Sequence, residues 1–155
     1  MGFAVATAVK TAQAIGNSNA AQARRVLKVG LIASLVCMSL LGLGMGVFSQ
    51  PLAHWLVGGG AVGQYTATFI LVFAWIQPVM AVDFVLAGAL QGSGDTRWPL
   101  YSVILGPLVV RFGLAVLLLS WQAPVEWIFA TLFFDYVAKA GLLAWRVRTG
   151  PWPYR

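Results

Sequence analysis

The sequence predicts an all-α integral membrane protein with four full transmembrane helices. Only 9% of the 155 residues are charged and the mean hydropathy is +0.84, whereas a soluble domain has roughly a quarter charged residues. Four apolar runs have the ~20-residue length that a helix needs to cross a hydrocarbon core of about 30 Å. The cations outside these runs lie in alternate connections, as the positive-inside rule requires.

The predicted spans are residues 27–48, 64–90, 98–120 and 128–145. Residues 1–15 are apolar but too short to cross the membrane, so we expect them to be the end of a preceding helix. Gly16 begins a Gly-Asn-Ser-Asn stop signal. Residues 49–63, which contain three consecutive glycines, are expected to be a loop, and residues 146–155 are expected to be a basic cytoplasmic tail.

The distribution of the cations predicts the orientation. If four spans alternate, one side carries Arg24, Arg25, Lys28, Arg97, Arg146, Arg148 and Arg155. The opposite connections, residues 49–63 and 121–127, contain no Lys or Arg. We therefore expect a multi-pass protein of the cell (inner) membrane with its C-terminus in the cytoplasm. Because the cations do not form one soluble face, the expected partner is the lipid bilayer and no nucleic acid.

Residues 88–99, which read GALQGSGDTRWP, are expected to form a tight hairpin between the second and third spans. Gly92 and Gly94 tolerate the positive φ angles of a turn, and Asp95 is predicted to cap the following helix. Arg97 and Trp98 suit the headgroup level, where cations meet anionic lipid.

Four charged residues lie away from the ends of the predicted spans: Asp83, Arg111, Asp135 and Lys139. The helical rise places Arg111 and Asp135 at a similar depth, and likewise Asp83 and Lys139, so two ion pairs between helices are predicted. Asp135 and Lys139 are also four residues apart on one helix and are able to pair with each other. We interpret Arg111, Asp135 and Lys139 as structural charges, since a deep Arg needs a fixed counter-ion.

Asp83 is the candidate ion-coupling residue. It lies in an apolar run close to Pro78, a setting in which a carboxylate can take up and release a proton. Gln77 and Tyr136 are candidates for lining a cavity next to it.

Three segments resemble, in the right order, those of multidrug and toxic compound extrusion (MATE) transporters. Residues 88–99 are similar to a family hairpin of the form G-A-L-[RQ]-G-[AS]-G-D-T-R. Residues 2–25 (GFAVATAVKTAQAIGNSNAAQARR) resemble the family's G-x-x-x-A-T…A-R-R segment. Residues 135–152 (DYVAKAGLLAWRVRTGPW) resemble its closing helix and basic tail.

The resemblance implies a fold of two six-helix lobes around a central cavity. This chain would then be the C-terminal part of the second lobe, comprising the end of one transmembrane helix plus four full helices. It implies a fragment of a secondary active antiporter that exports cationic or amphiphilic drugs or metabolites in exchange for H⁺ or Na⁺. The implied partners are a small-molecule substrate and a missing N-terminal lobe, with no cofactor besides the coupling ion. A coupling carboxylate of some family members aligns with Met80, one turn before Asp83, so Met80 also becomes a candidate for lining the cavity.

Other classes of function have less support. The sequence has no phosphate-binding P-loop, no metal-ligand cluster and no nucleophile–base set, so we expect neither an enzyme nor a metal site. The alternatives are a small stand-alone membrane protein or assembly partner without transport activity, and a flippase-like transporter. Only Arg111 and Lys139 are deep cations, which weakens the flippase alternative. In-frame coding for further apolar segments upstream would distinguish a fragment from a stand-alone protein.

Overall fold

The computed structural model describes residues 2–122 and 124–150, which form a helical bundle without any β-strand in those ranges. Its elements are α1 (Gly2–Gly16), α2 (Ala20–Val47), α3 (Ser49–Val57), α4 (Ala61–Gly92), α5 (Arg97–Leu105), a π-helical segment (Gly106–Phe112), α6 (Gly113–Ser120) and α7 (Val125–Thr149). Four stretches in the described ranges are long and apolar enough to cross a membrane: Ala20–Val47, Ala61–Gly92, Arg97–Ser120 and Trp127–Thr149. The predicted all-α membrane class is confirmed.

The spanning helices extend beyond the apolar runs that predicted them. The Asn19 side chain caps α2 by accepting a hydrogen bond of 2.9 Å from the Gln22 amide, so the basic lead-in is continuous with the span. At the other end of the chain, α7 continues to Thr149, so the first residues of the predicted tail are helical. Residues 151–155 of that tail, which include Trp152 and Arg155, lie outside the described residues.

The predicted loop at residues 49–63 is wrong in its first half, which forms the nine-residue helix α3. Pro51 lies in the first turn of α3, where its missing N–H leaves no hydrogen bond unmade. The helix ends at Gly58, whose φ of 77° favours glycine. Ala53 of α3 packs on Ala67 and Ile70, so α3 covers one end of α4.

Helix α4 is the centre of the bundle, with α1, α2, α3 and α7 packed around it. Of its most apolar window 44% is buried, against 11% for α2 and for the Arg97–Ser120 span. Small residues allow this close packing. A Cβ added at Gly88 or Gly92 would collide with the backbone of Ala4 or Ala8 on α1. The remaining apolar faces of α2 and of the Arg97–Ser120 span are exposed, as expected of surfaces that meet lipid or other membrane helices.

The hairpin between α4 and α5 contains the predicted positive-φ glycine at Gly94, with φ of 86°. The predicted cap is wrong, because Thr96 is the N-cap residue of α5 and no side chain caps it. The carboxylate of Asp95 instead accepts a hydrogen bond of 2.8 Å from Arg146 Nε at the end of α7. A guanidinium is a charged donor and outcompetes a neutral backbone amide for the carboxylate.

Candidate ion-coupling site

A cluster of ionisable side chains lies between α4 and α7, and the π-helical segment packs on α7 beside it. Asp83 projects from the last third of α4, and Asp135 and Lys139 project from successive turns of α7. All three are buried, with exposed fractions of 7%, 1% and 9% respectively. Their helices are spanning segments, so these groups are withdrawn from water within the depth of the membrane.

Within this cluster Lys139 Nζ lies 2.9 Å from Asp135 Oδ2 and donates a hydrogen bond to it. The ammonium also lies 4.7 Å from the centre of the Tyr136 ring, in cation–π contact. The structure therefore contains the i,i+4 pair, and the two predicted ion pairs between helices, Arg111–Asp135 and Asp83–Lys139, are wrong as direct contacts. The depth estimated from the helical rise correctly predicted that Asp83 and Lys139 lie near each other. Depth does not specify the rotation of each helix about its axis, and that rotation determines which side chains are in contact.

Gly106, the first residue of the π-helical segment, packs directly on the Asp135–Lys139 pair. A Cβ at this position would collide with the side chains of both Lys139 and Asp135. Pro107 follows directly and has no N–H to donate, which favours the wider π turn at this point. The close approach of Gly106 to the ion pair was not predicted from the sequence.

The carboxylates of the cluster are incompletely satisfied. Asp83 Oδ1 and Asp135 Oδ1 are buried and have no hydrogen-bond partner among the described residues. Asp83 is attracted by Lys139 and repelled by Asp135, without a direct ion pair to either. Two carboxylates and one ammonium leave a surplus negative charge when all are ionised. In a low-dielectric interior such a surplus favours the binding of one proton or one monovalent cation.

The other predicted site residues divide between the cluster and its surroundings. Tyr136 is half-buried at the cluster. Gln77 is buried one and a half turns away and makes a long contact of 3.9 Å from Nε2 to Met45 Sδ. Met80 is half-buried on α4. Arg111 is exposed and makes no ion pair with a described residue, although it interacts electrostatically with Tyr136.

A second feature was not predicted from the sequence. An apolar groove of about 480 Å³ runs between α2 and α4, with Gly42 and Gly46 on one side and Trp75 and Pro78 on the other. Trp75 is 72% exposed, so its indole forms a wall of the groove rather than part of the packed core. The signal in the sequence was the pair of small glycines facing a proline.

Comparisons with known proteins agree with these observations. The MatE family model matches residues 1–117. The probable multidrug resistance protein NorM of Bradyrhizobium diazoefficiens is 30% identical over 134 residues, covering 84% of this chain and 26% of the relative. The probable multidrug resistance protein NorM of Rhodopseudomonas palustris is 27% identical over 163 residues, covering 90% of this chain and 34% of the relative.

The chain thus spans about a quarter to a third of the length of these curated relatives. No solved structure gives a significant match. The family model covers three quarters of the chain, and the helical bundle has the membrane-spanning segments expected of such a protein. This chain is a member of the MatE family.

Proposed function

We propose that this chain forms the C-terminal part of a secondary antiporter that exports cationic or amphiphilic compounds in exchange for H⁺ or Na⁺. In this proposal Asp83 is the ion-coupling carboxylate, and the paired Asp135 and Lys139 position it. The remainder of the transporter would supply the opposite wall of a cavity. The names of the two NorM relatives support multidrug export as the activity of the whole protein.

The observation that carries the proposal is that Asp83 is buried on the central helix and makes no ion pair with a described residue. A structural carboxylate at this depth would be expected to have a direct counter-ion, as Asp135 has in Lys139, because an unpaired charge there is costly. A carboxylate that alternately holds an ion and releases it must instead have a free oxygen. Lys139, which pairs with Asp135, makes no direct ion pair with Asp83.

The test requires a complete transporter, which is obtained by replacing the matching segment of the Bradyrhizobium relative with this chain. The hybrid is reconstituted in liposomes, and efflux of a fluorescent cationic dye is driven by a pH or Na⁺ gradient. We expect Asp83→Asn to abolish gradient-driven efflux and Asp83→Glu to retain part of it, because only the latter keeps a carboxylate.

The matched control is Thr68→Val on the same helix, which removes a hydroxyl that bonds only to its own helix at Gln64 O. It should leave efflux unchanged. Gradient-driven efflux of normal rate in the Asp83→Asn hybrid would exclude Asp83 as the coupling residue.

We further propose that the protein resides in the inner membrane with its C-terminus in the cytoplasm. The support is the segregation of cations. Lysines or arginines lie at the ends of α1 and α7, at the start of α2 and in the α4–α5 hairpin. The connections on the opposite side, Ser49–Val57 and the residues between α6 and α7, contain none.

A further inference from the structure

A groove of about 720 Å³ lies between α1 and α2, and none of the residues that line it belongs to the Asp83–Asp135–Lys139 cluster. Its polar end contains Lys10 of α1 and Arg25 of α2, together with Asn19 and Gln22. Lys10 precedes the end of α1 by about 9 Å and Arg25 follows the start of α2 by about 8 Å, at 1.5 Å of rise per residue. The two cations therefore stand at the same level across the groove.

The rest of the groove is apolar and is lined by Phe3, Ala6, Val26 and Val29. Phe3, Ala6 and Val29 lie further from the connecting turn than the two cations, and therefore deeper in the membrane, whereas Val26 is adjacent to Arg25. The groove thus changes from basic to apolar along the membrane normal. An anionic phospholipid is complementary to this arrangement, with its charged headgroup at one end and its apolar acyl chains at the other.

Among the described residues, no acidic side chain pairs with these cations. The chain has four acidic residues. Asp83 and Asp135 belong to the buried cluster, and Asp95 pairs with Arg146. Glu126 lies in the first turn of α7, at the opposite end of that helix from the basic connections. Lys10 and Arg25 are exposed and make no ion pair with any residue that the structure describes.

We propose that this groove binds one anionic phospholipid, whose phosphate lies between Lys10 and Arg25 and whose acyl chain follows Phe3, Val26 and Val29. Basic pockets between transmembrane helices at the cytoplasmic side are suited to such headgroups. The apolar wall favours a lipid over a free phosphate as the ligand, because a free phosphate would leave that wall uncovered. This inference does not depend on the proposed transport activity.

The test uses the purified 155-residue chain in neutral detergent and measures lipid binding by native mass spectrometry. Phosphatidylglycerol should bind at least about tenfold more tightly than phosphatidylcholine. The double variant Lys10→Gln/Arg25→Gln should weaken phosphatidylglycerol binding about thirtyfold, because each cation near the surface contributes about fivefold. The matched control Arg97→Gln/Arg148→Gln removes the same charge from exposed positions elsewhere and should change the affinity less than about twofold.

Two further arms separate the lipid from its headgroup. Ala6→Trp fills the apolar part while keeping both cations, and it should also weaken phosphatidylglycerol binding. Glycerol 3-phosphate in large excess should not displace the lipid. Equal losses in the two double variants would indicate diffuse attraction and overturn the proposal. So would full affinity in Ala6→Trp, or displacement by glycerol 3-phosphate.

Discussion

Asp95 Oδ2 lies 2.8 Å from both Nε and Nη2 of Arg146, and this contact joins the α4–α5 hairpin to the end of α7. The same guanidinium lies 5.2 Å from the centre of the Trp98 ring, and Trp98 in turn makes an edge contact with Trp145. Beneath it Leu86, Leu90 and Leu143 form a buried apolar cluster. At this end of the bundle, α4 and α7 are joined by a buried apolar cluster and by an ion pair above it.

Breaking this ion pair should destabilise the bundle modestly. Both side chains are about a quarter exposed, so we expect Asp95→Asn or Arg146→Gln to lower the free energy of unfolding by about 1 kcal/mol. The double variant should be little worse than either single one, because the interaction is already lost. Thermal unfolding in detergent provides the measurement. Fully additive losses would show that the two residues act independently.

Close packing of α1 on α4 should depend on two glycines. Gly88→Ala and Gly92→Ala place a methyl group against the backbone of α1, which cannot retreat like a flexible side chain. We expect each to cost about 1–3 kcal/mol of stability. Gly141→Ala is the control, because its Cβ would meet nothing within 4 Å. It should be neutral or slightly stabilising, since alanine favours helix. Equal losses at all three positions would contradict close packing as the cause.

Removal of Lys139 should be far more damaging than removal of Arg111. Lys139→Met leaves the carboxylate of Asp135 buried without its counter-ion, which costs about 3–5 kcal/mol. Adding Asp135→Asn should restore much of the loss. Arg111→Gln should have little effect on this chain, because no described carboxylate pairs with Arg111 and its removal leaves none without a counter-ion. The amount of folded protein recovered from membranes reports all three. A severe defect in Arg111→Gln would instead favour a partner for Arg111.

The main features of the fold were predictable because membrane insertion imposes simple rules. A run of ~20 apolar residues must be a helix, and the helices that the sequence predicted at residues 64–90 and 98–120 are present with ends shifted by a few residues. Helix α3 was missed because its nine residues are too few for a spanning signal and are flanked by glycines. The composition of that segment resembles a loop.

The candidate site was predictable only in part. The sequence identified Asp83, Asp135 and Lys139 because ionisable residues are rare within apolar runs. It did not specify their pairing, since the rotation of each helix depends on packing. The pair Asp135–Lys139 depends only on helical periodicity and was therefore available as an alternative. The covering role of Gly106 was not predictable, because it arises from the contact between the π-helical segment and α7.

The proposed orientation makes a further prediction about reporter fusions. Green fluorescent protein fused after Arg155 should fluoresce, because it matures in the cytoplasm. The same reporter fused after Gly59, in the connection between α3 and α4, should not. Alkaline phosphatase at these two points should give the opposite pattern. Phosphatase activity after Arg155 would invert the topology.

The central claim is that Asp83 holds the coupling ion and yields it when substrate binds. The most direct measurement counts ions released by the purified hybrid transporter on addition of a saturating cationic dye, with a pH indicator for H⁺ and radioactive tracer for Na⁺. We predict release of one of these ions from the parent and of neither from Asp83→Asn. Equal ion release from the Asp83→Asn hybrid, with dye binding intact, would contradict the account.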